Sequence, residues 1–131
     1  MNIKIYQVNM DRDVNNVCFM SLETLERLQG TSAIDSSIYD KVFGGEVKCE
    51  SLEDVYVEFN LDHPKGYKAR SLSVSDIVEI ISENGTSEFH YCDSIGFKKV
   101  AFVSEKAQLS ERYLDYQINF SAILNREQEA I

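Results

Sequence analysis

Five residues carry the chemistry this chain could most directly perform: Asp62, His63, Asp76, His90 and Asp93. Carboxylate–imidazole pairs can share acid and base roles, so a cleft gathering these five would suit hydrolysis or a nucleotide site. Nothing in their spacing brings them together. His90 and Cys92 stand two apart, a separation that projects both from one face of a strand and makes a two-ligand metal corner geometrically possible. Zinc takes three or four protein ligands, however, and the other histidine, His63, belongs to a different segment. Cys18, Cys49 and Cys92 are odd in number and far apart, with no Cys-x-x-Cys, and read as reduced thiols. No P-loop, Gly-x-Gly-x-x-Gly, Gly-x-Ser-x-Gly or His-Glu-x-x-His motif occurs, and six glycines leave little for a phosphate cradle. The expectation is a chain without catalytic residues, metal or cofactor.

Charge points elsewhere. The 131 residues include 13 Lys and Arg against 22 Asp and Glu, a formal net charge of −9. Such a chain repels phosphate backbones at long range and lacks the basic footprint of most nucleic-acid binders. Residues 1–60 hold 11 acids and 5 bases, residues 61–103 hold 6 and 5, and residues 104–131 hold 5 and 3. The acidity is therefore concentrated in the first half. Its densest patch is Glu46, Glu50, Glu53, Asp54 and Glu58, opposed only by Lys48. These residues form either a solvated helix face or a negative surface for a basic partner.

The elements that position these groups follow from periodicity. A hydrophobic fraction of 44% in 131 residues suits one globular domain with a single core. The longest apolar runs fall far short of the ~20 residues needed to cross a bilayer. The start, Met1-Asn2-Ile3-Lys4-Ile5, does not resemble a signal peptide, so a cytosolic protein is expected. Residues 2–8 read as a strand, with Ile3, Ile5 and either Tyr6 or Val8 buried. Ser21 caps a first helix carrying Leu22, Leu25 and Leu28, which Gly30 ends. Residues 38–48 suggest a turn or short helix entering a strand broken at Gly44-Gly45. Ser51-Leu52-Glu53-Asp54 resembles a capping box opening a second helix to about Asn60, and Asp62-His63-Pro64 then forces a non-helical connection.

Ile77–Ser82 and Ser87–Cys92 flank Asn84-Gly85, the signal of a two-residue type I′ hairpin. That register sets Val78 against Tyr91, Ile80 against Phe89, Glu79 against His90 and Ile77 against Cys92. It predicts a core face of Val78, Ile80, Phe89 and Tyr91, with His90 as the cross-strand partner of Glu79. Phe97–Val103 reads as a further strand. From Ser104, Leu109, Tyr113, Tyr116, Phe120 and Ile123 recur at helical spacing and predict a long C-terminal helix, packed on the sheet or seeding a homodimer. The fold class expected is α+β: an antiparallel sheet with a central Asn-Gly hairpin, two short helices and a longer C-terminal helix. Residues 1–103 form the domain and residues 104–131 a helical extension packing on it.

The ordered set of motifs resembles a known family. Its members here are Ile5-Tyr6-Gln7, Phe19-Met20-Ser21-Leu22-Glu23, Tyr39-Asp40-Lys41-Val42-Phe43, Leu52-Glu53-Asp54-Val55-Tyr56, Phe59-Asn60, Asp62-His63-Pro64, the run Ser71 to Val78, and Tyr91 to Phe97. Together they resemble the YodL-like domain over roughly residues 3–103. The resemblance implies an accessory protein of firmicute mobile elements, conjugative or phage-borne, and implies no defined catalytic residues.

Three functions compete on this reading. The first is a non-enzymatic inhibitor of a host defence system, of the anti-CRISPR type, that presents Glu46, Glu50, Glu53, Asp54 and Glu58 to the basic nucleic-acid channel of a nuclease. The same lysines and arginines that hold phosphates attract such a surface. The second, drawn from the family resemblance, is a modulator of the bacterial actin-like cytoskeleton. The third is a small RNA-binding module using Lys65, Lys68, Arg70, Lys98 and Lys99. A host protein is the expected partner, without direct nucleic-acid or membrane binding.

Overall fold

The computed structural model describes residues 1–116. In chain order they form β1 (Asn2–Val8), α1 (Leu22–Gln29), β2 (Tyr39–Glu46), α2 (Leu52–Leu61), β3 (Ile77–Ile81), β4 (Ser87–Cys92), β5 (Phe97–Val100) and β6 (Gln108–Asp115), with single 3-10 turns at Ser36–Ile38 and Ser104–Lys106. The six strands make one sheet in the order β5-β4-β3-β1-β2-β6. Neighbours are antiparallel except β2 and β6, which run parallel, so the sheet is mixed.

Both faces of the central strands are buried. On β1 and β3 the side chains alternate, sending Ile3, Ile5 and Val78 to one face and Tyr6, Val8 and Ile77 to the other. The first face packs with Phe43 under Val55 and Phe59 of α2, and Phe43 meets Phe59 edge-on at 4.9 Å. The second carries Tyr39, Tyr91 and Phe102, with Leu22 of α1 against them. Three layers result. The helices begin and end where their caps dictate: Ser21 Oγ accepts the Thr24 amide at 3.2 Å, and Gly30, at φ 86°, returns its amide to Glu26 O. Ser51 Oγ accepts the Asp54 amide at 3.1 Å, while the Asp54 carboxylate accepts from Glu50 N, one residue earlier than a standard capping box.

Three sequence expectations are corrected. The sheet is mixed and the architecture mostly β, because the stretch expected to be a longer C-terminal helix is β6, paired to Asp40 and Lys41 and then to Phe43 and Gly44 of β2. Tertiary pairing overrides a helix-like spacing there, and Tyr116 packs on Phe43 at 5.8 Å. Of the stripe expected to form the helix and its homodimer seam, Leu109 and Tyr113 lie on β6, while Phe120 and Ile123 lie outside the described residues. Secondly, Gly44 and Gly45 lie inside β2 and do not break it. A Cβ on Gly44 would meet the Tyr113 hydroxyl of β6, so the missing side chain makes room for the tip of that ring.

Thirdly, the hairpin is slipped by one residue: Ile77 faces Tyr91, Val78 faces His90, and Glu79 faces Phe89. The loop has three residues, Glu83-Asn84-Gly85, closed by Ser82 N to Thr86 O at 2.9 Å, with Gly85 alone at positive φ (85°). Asn84 instead caps the turn by accepting the Thr86 amide at 3.1 Å, which selects the bulged loop over type I′. His90 is therefore not the partner of Glu79. Glu79 is buried between the Tyr6 hydroxyl (2.7 Å) and Ser87 Oγ (2.5 Å), both donating to it.

Candidate functional site

The five candidate acid–base residues are dispersed. Asp62 is exposed and closes α2, its amide bonded to Glu58 O. His63 Nε2 donates to Phe59 O at 2.8 Å and lies 3.1 Å from Ser71 Oγ, tying the end of α2 to the following loop. His90 sits on β4, 3.4 Å from Glu88. The Asp93 carboxylate accepts the amides of Leu22 (3.2 Å) and Ser94 (2.8 Å), joining the first residue of α1 to the β4–β5 turn. Cys92 is buried, and burial pushes its thiol up to about 12, which keeps it protonated. Among the described residues no three His, Cys, Asp or Glu side chains could hold a metal together.

The acidic patch holds together at the start of α2. Glu46, Glu50, Glu53 and Asp54 are exposed at the end of β2 and over the first turn of the helix, where acids also complement the helix dipole. Glu58 is turned partly inward and accepts the Cys49 thiol at 3.0 Å. Burial first, and this hydrogen bond second, raise Cys49 to about 12. Farther along the helix Tyr56, Val57 and Leu61 are 44%, 52% and 82% exposed, an apolar patch beside the acids. The basic residues considered for RNA are split. Lys98 and Lys99 lie on edge strand β5, with Lys99 3.2 Å from Glu88, whereas Arg70 reaches β1 through Val8 O.

A polar hub between the helix-bearing loops escapes sequence reasoning. Asp76 is wholly buried. Its Oδ2 accepts from Ser73 N at 2.8 Å and from Gln7 Nε2 at 3.1 Å, and its Oδ1 has no hydrogen-bond partner among the described residues. Burial pushes its carboxyl up to about 7, against the lowering effect of the Ser73 bond, Arg70 and Gln7. Gln7 Nε2 also holds Arg70 O at 2.9 Å. Arg70 donates to Val8 O at 3.0 Å and lays its guanidinium over Phe19 at 5.6 Å. Phe19 and Ser75 are both left-handed, at φ 68° and 83°, and are linked by Phe19 N donating to Ser75 Oγ at 2.9 Å. Tyr39 donates to Ser75 O at 2.7 Å. A buried charge beside two strained residues is costly, and such costs concentrate where a protein does its work. The sequence singles out Asp76 as a candidate acid or base and Arg70 as a candidate basic contact, but not their convergence with Gln7 and Phe19.

Three layers around a mixed six-stranded sheet, with a buried polar hub and a separate acidic helix end, define a small sheet-centred domain. The family model for the YodL-like domain matches residues 2–102, and the chain belongs to that family. No curated protein and no solved structure matches it. Among the described residues, no helix is long and apolar enough to cross a membrane.

Proposed function

We propose that this chain acts by binding, with the acidic start of α2 docking onto a basic surface of a macromolecular partner. The observation that carries the reading is the exposure of Glu46, Glu50, Glu53 and Asp54 along one short stretch of chain, from the end of β2 into the first turn of α2, followed by exposed Tyr56 and Val57. Charge steers the approach, and the neighbouring aromatic and aliphatic surface supplies apolar area to bury on contact. The specific partner proposed is the nucleic-acid channel of a host defence nuclease in the bacterial cytosol. The mobile-element setting that the family resemblance implies makes such a nuclease the natural target. The chain then inhibits by occupying the phosphate-binding lysines and arginines, without chemistry of its own.

Binding to a purified CRISPR nuclease tests this, measured across a salt series and in competition with target DNA. Affinity should fall as salt rises, DNA should compete, and the double variant Glu50→Lys, Glu53→Lys should bind at least tenfold more weakly. Salt-independent binding that the double variant leaves intact would remove the acidic face from the account.

A further inference from the structure

A groove of about 530 Å3 opens beside the polar hub, with β1, β2 and the loop before β3 on one side and β6 on the other. It exists because β6 leaves the ladder. The strand pairs with β2 at Gln108 and Leu109 and again at Leu114 and Asp115, so four residues, Ser110 to Tyr113, span the space that Val42 alone fills on β2. Ser110, Glu111 and Arg112 of this bulge line the groove opposite Gln7 and Arg70.

Its charged groups are not equivalent. Arg12 is engaged through two of its three nitrogens: Nε donates to the Ser37 carbonyl (3.2 Å), and Nη2 donates to the Tyr39 carbonyl (3.1 Å) and pairs with Asp40 at 2.6 Å. Asp40 also accepts from Asn9 at 2.9 Å, so this carboxylate is already satisfied. Arg70 differs. Its Nη2 and the face of its guanidinium are used, but its Nε is buried and has no hydrogen-bond partner among the described residues. A buried donor left unpaired costs about 1–3 kcal/mol, a deficit that a small turn of the side chain toward an acceptor in the groove would remove. Arg112, across the groove, is exposed, as are the lining carboxylates Asp11 and Glu111, whose side chains are free to turn to solvent. Gln7 holds the Arg70 backbone carbonyl, fixing the main chain, while Val8 O and the Phe19 ring hold the guanidinium itself.

We infer that this groove is a binding site for a small molecule bearing a carboxylate or phosphate group, with Arg70 and Arg112 contacting the oxyanion and Gln7 as the positioning residue. A guanidinium suits either group because its fork of N–H donors matches planar or tetrahedral oxygens. The volume is that of a ligand pocket and exceeds what a bare ion fills. The site is independent of the acidic start of α2, so failure of one leaves the other standing.

Titration of the full chain, followed by 15N NMR at constant ionic strength, tests it with inorganic phosphate in one arm and acetate in another, against chloride. The expected result is saturable shifts at the Arg70 Nε–H and the amides of residues 110–112 in at least one arm, and which arm responds tells phosphate from carboxylate. Arg112→Glu, an exposed change, should weaken binding at least tenfold, and Arg70→Lys should remove the side-chain signal and most of the affinity. Shifts equal to those in chloride, or binding that Arg112→Glu leaves unchanged, would overturn the inference.

Discussion

Replacing Asp76 by asparagine reads the cost of the buried hub directly. The carboxyl ordinarily ionises near 3.8 and here is pushed up to about 7 by burial. In the unfolded chain it releases its proton near the lower value, whereas the folded protein keeps the proton until near neutrality. Between those values the folded state binds more protons, so stability contributed by this group is full at low pH and is lost progressively as pH rises to about 7. At about 1.4 kcal/mol per tenfold change in acidity, the loss is about 4 kcal/mol by pH 8, a large share of the stability of a domain this size. The amide of the variant has no charge to bury and retains an oxygen for the Ser73 N–H. Urea unfolding of wild type and Asp76→Asn from pH 4 to pH 8 gives the assay. The difference between the two unfolding free energies cancels every other titrating group. It should move in favour of the variant by about 4 kcal/mol across the range. A difference constant to within about 0.5 kcal/mol would refute the reasoning, because it would mean the native carboxyl ionises as it does in water.

Other perturbations test the surrounding argument. Ser75→Ala deprives the Phe19 amide of its acceptor and should cost about 1–3 kcal/mol in thermal or urea unfolding. Ser75→Gly loses the same bond but relieves the left-handed backbone, so it should be milder by about 1 kcal/mol. Gly44→Ala should destabilise by about 1–3 kcal/mol, and Tyr113→Ala should relieve it in a double-mutant cycle, since the added methyl meets the tyrosine hydroxyl. Glu58→Gln should lower the Cys49 thiol from about 12, seen as faster alkylation by iodoacetamide at a fixed alkaline pH.

Local rules were legible wherever one element settles its own ends. Ser21, Gly30 and Ser51 mark helix limits because capping is a matter of a few adjacent residues, and β1 declares itself through Ile3 and Ile5. The hairpin was located but misregistered: Asn84-Gly85 suits two loop types, and the side-chain bonds among Ser82, Asn84 and Thr86 decide between them. The exposed acids at the start of α2 were legible because charge reaches the surface whatever the topology. The hub was not. Gln7, Phe19 and the group Arg70, Ser75 and Asp76 come from three separate segments, and only the tertiary fold brings them into contact. Nor was β6, whose partner is set by a distant strand while its own residues favour a helix by spacing.

The family match ends at residue 102, before β6 begins. A fragment cut at that limit would expose the whole outer rim of β2, with Phe43 stripped of Leu114 and Tyr116. Open rims of this kind recruit other chains. Such a truncation should come out of expression as dimers or precipitate, and any laboratory trimming the protein to its recognised homology region should extend it through residue 116.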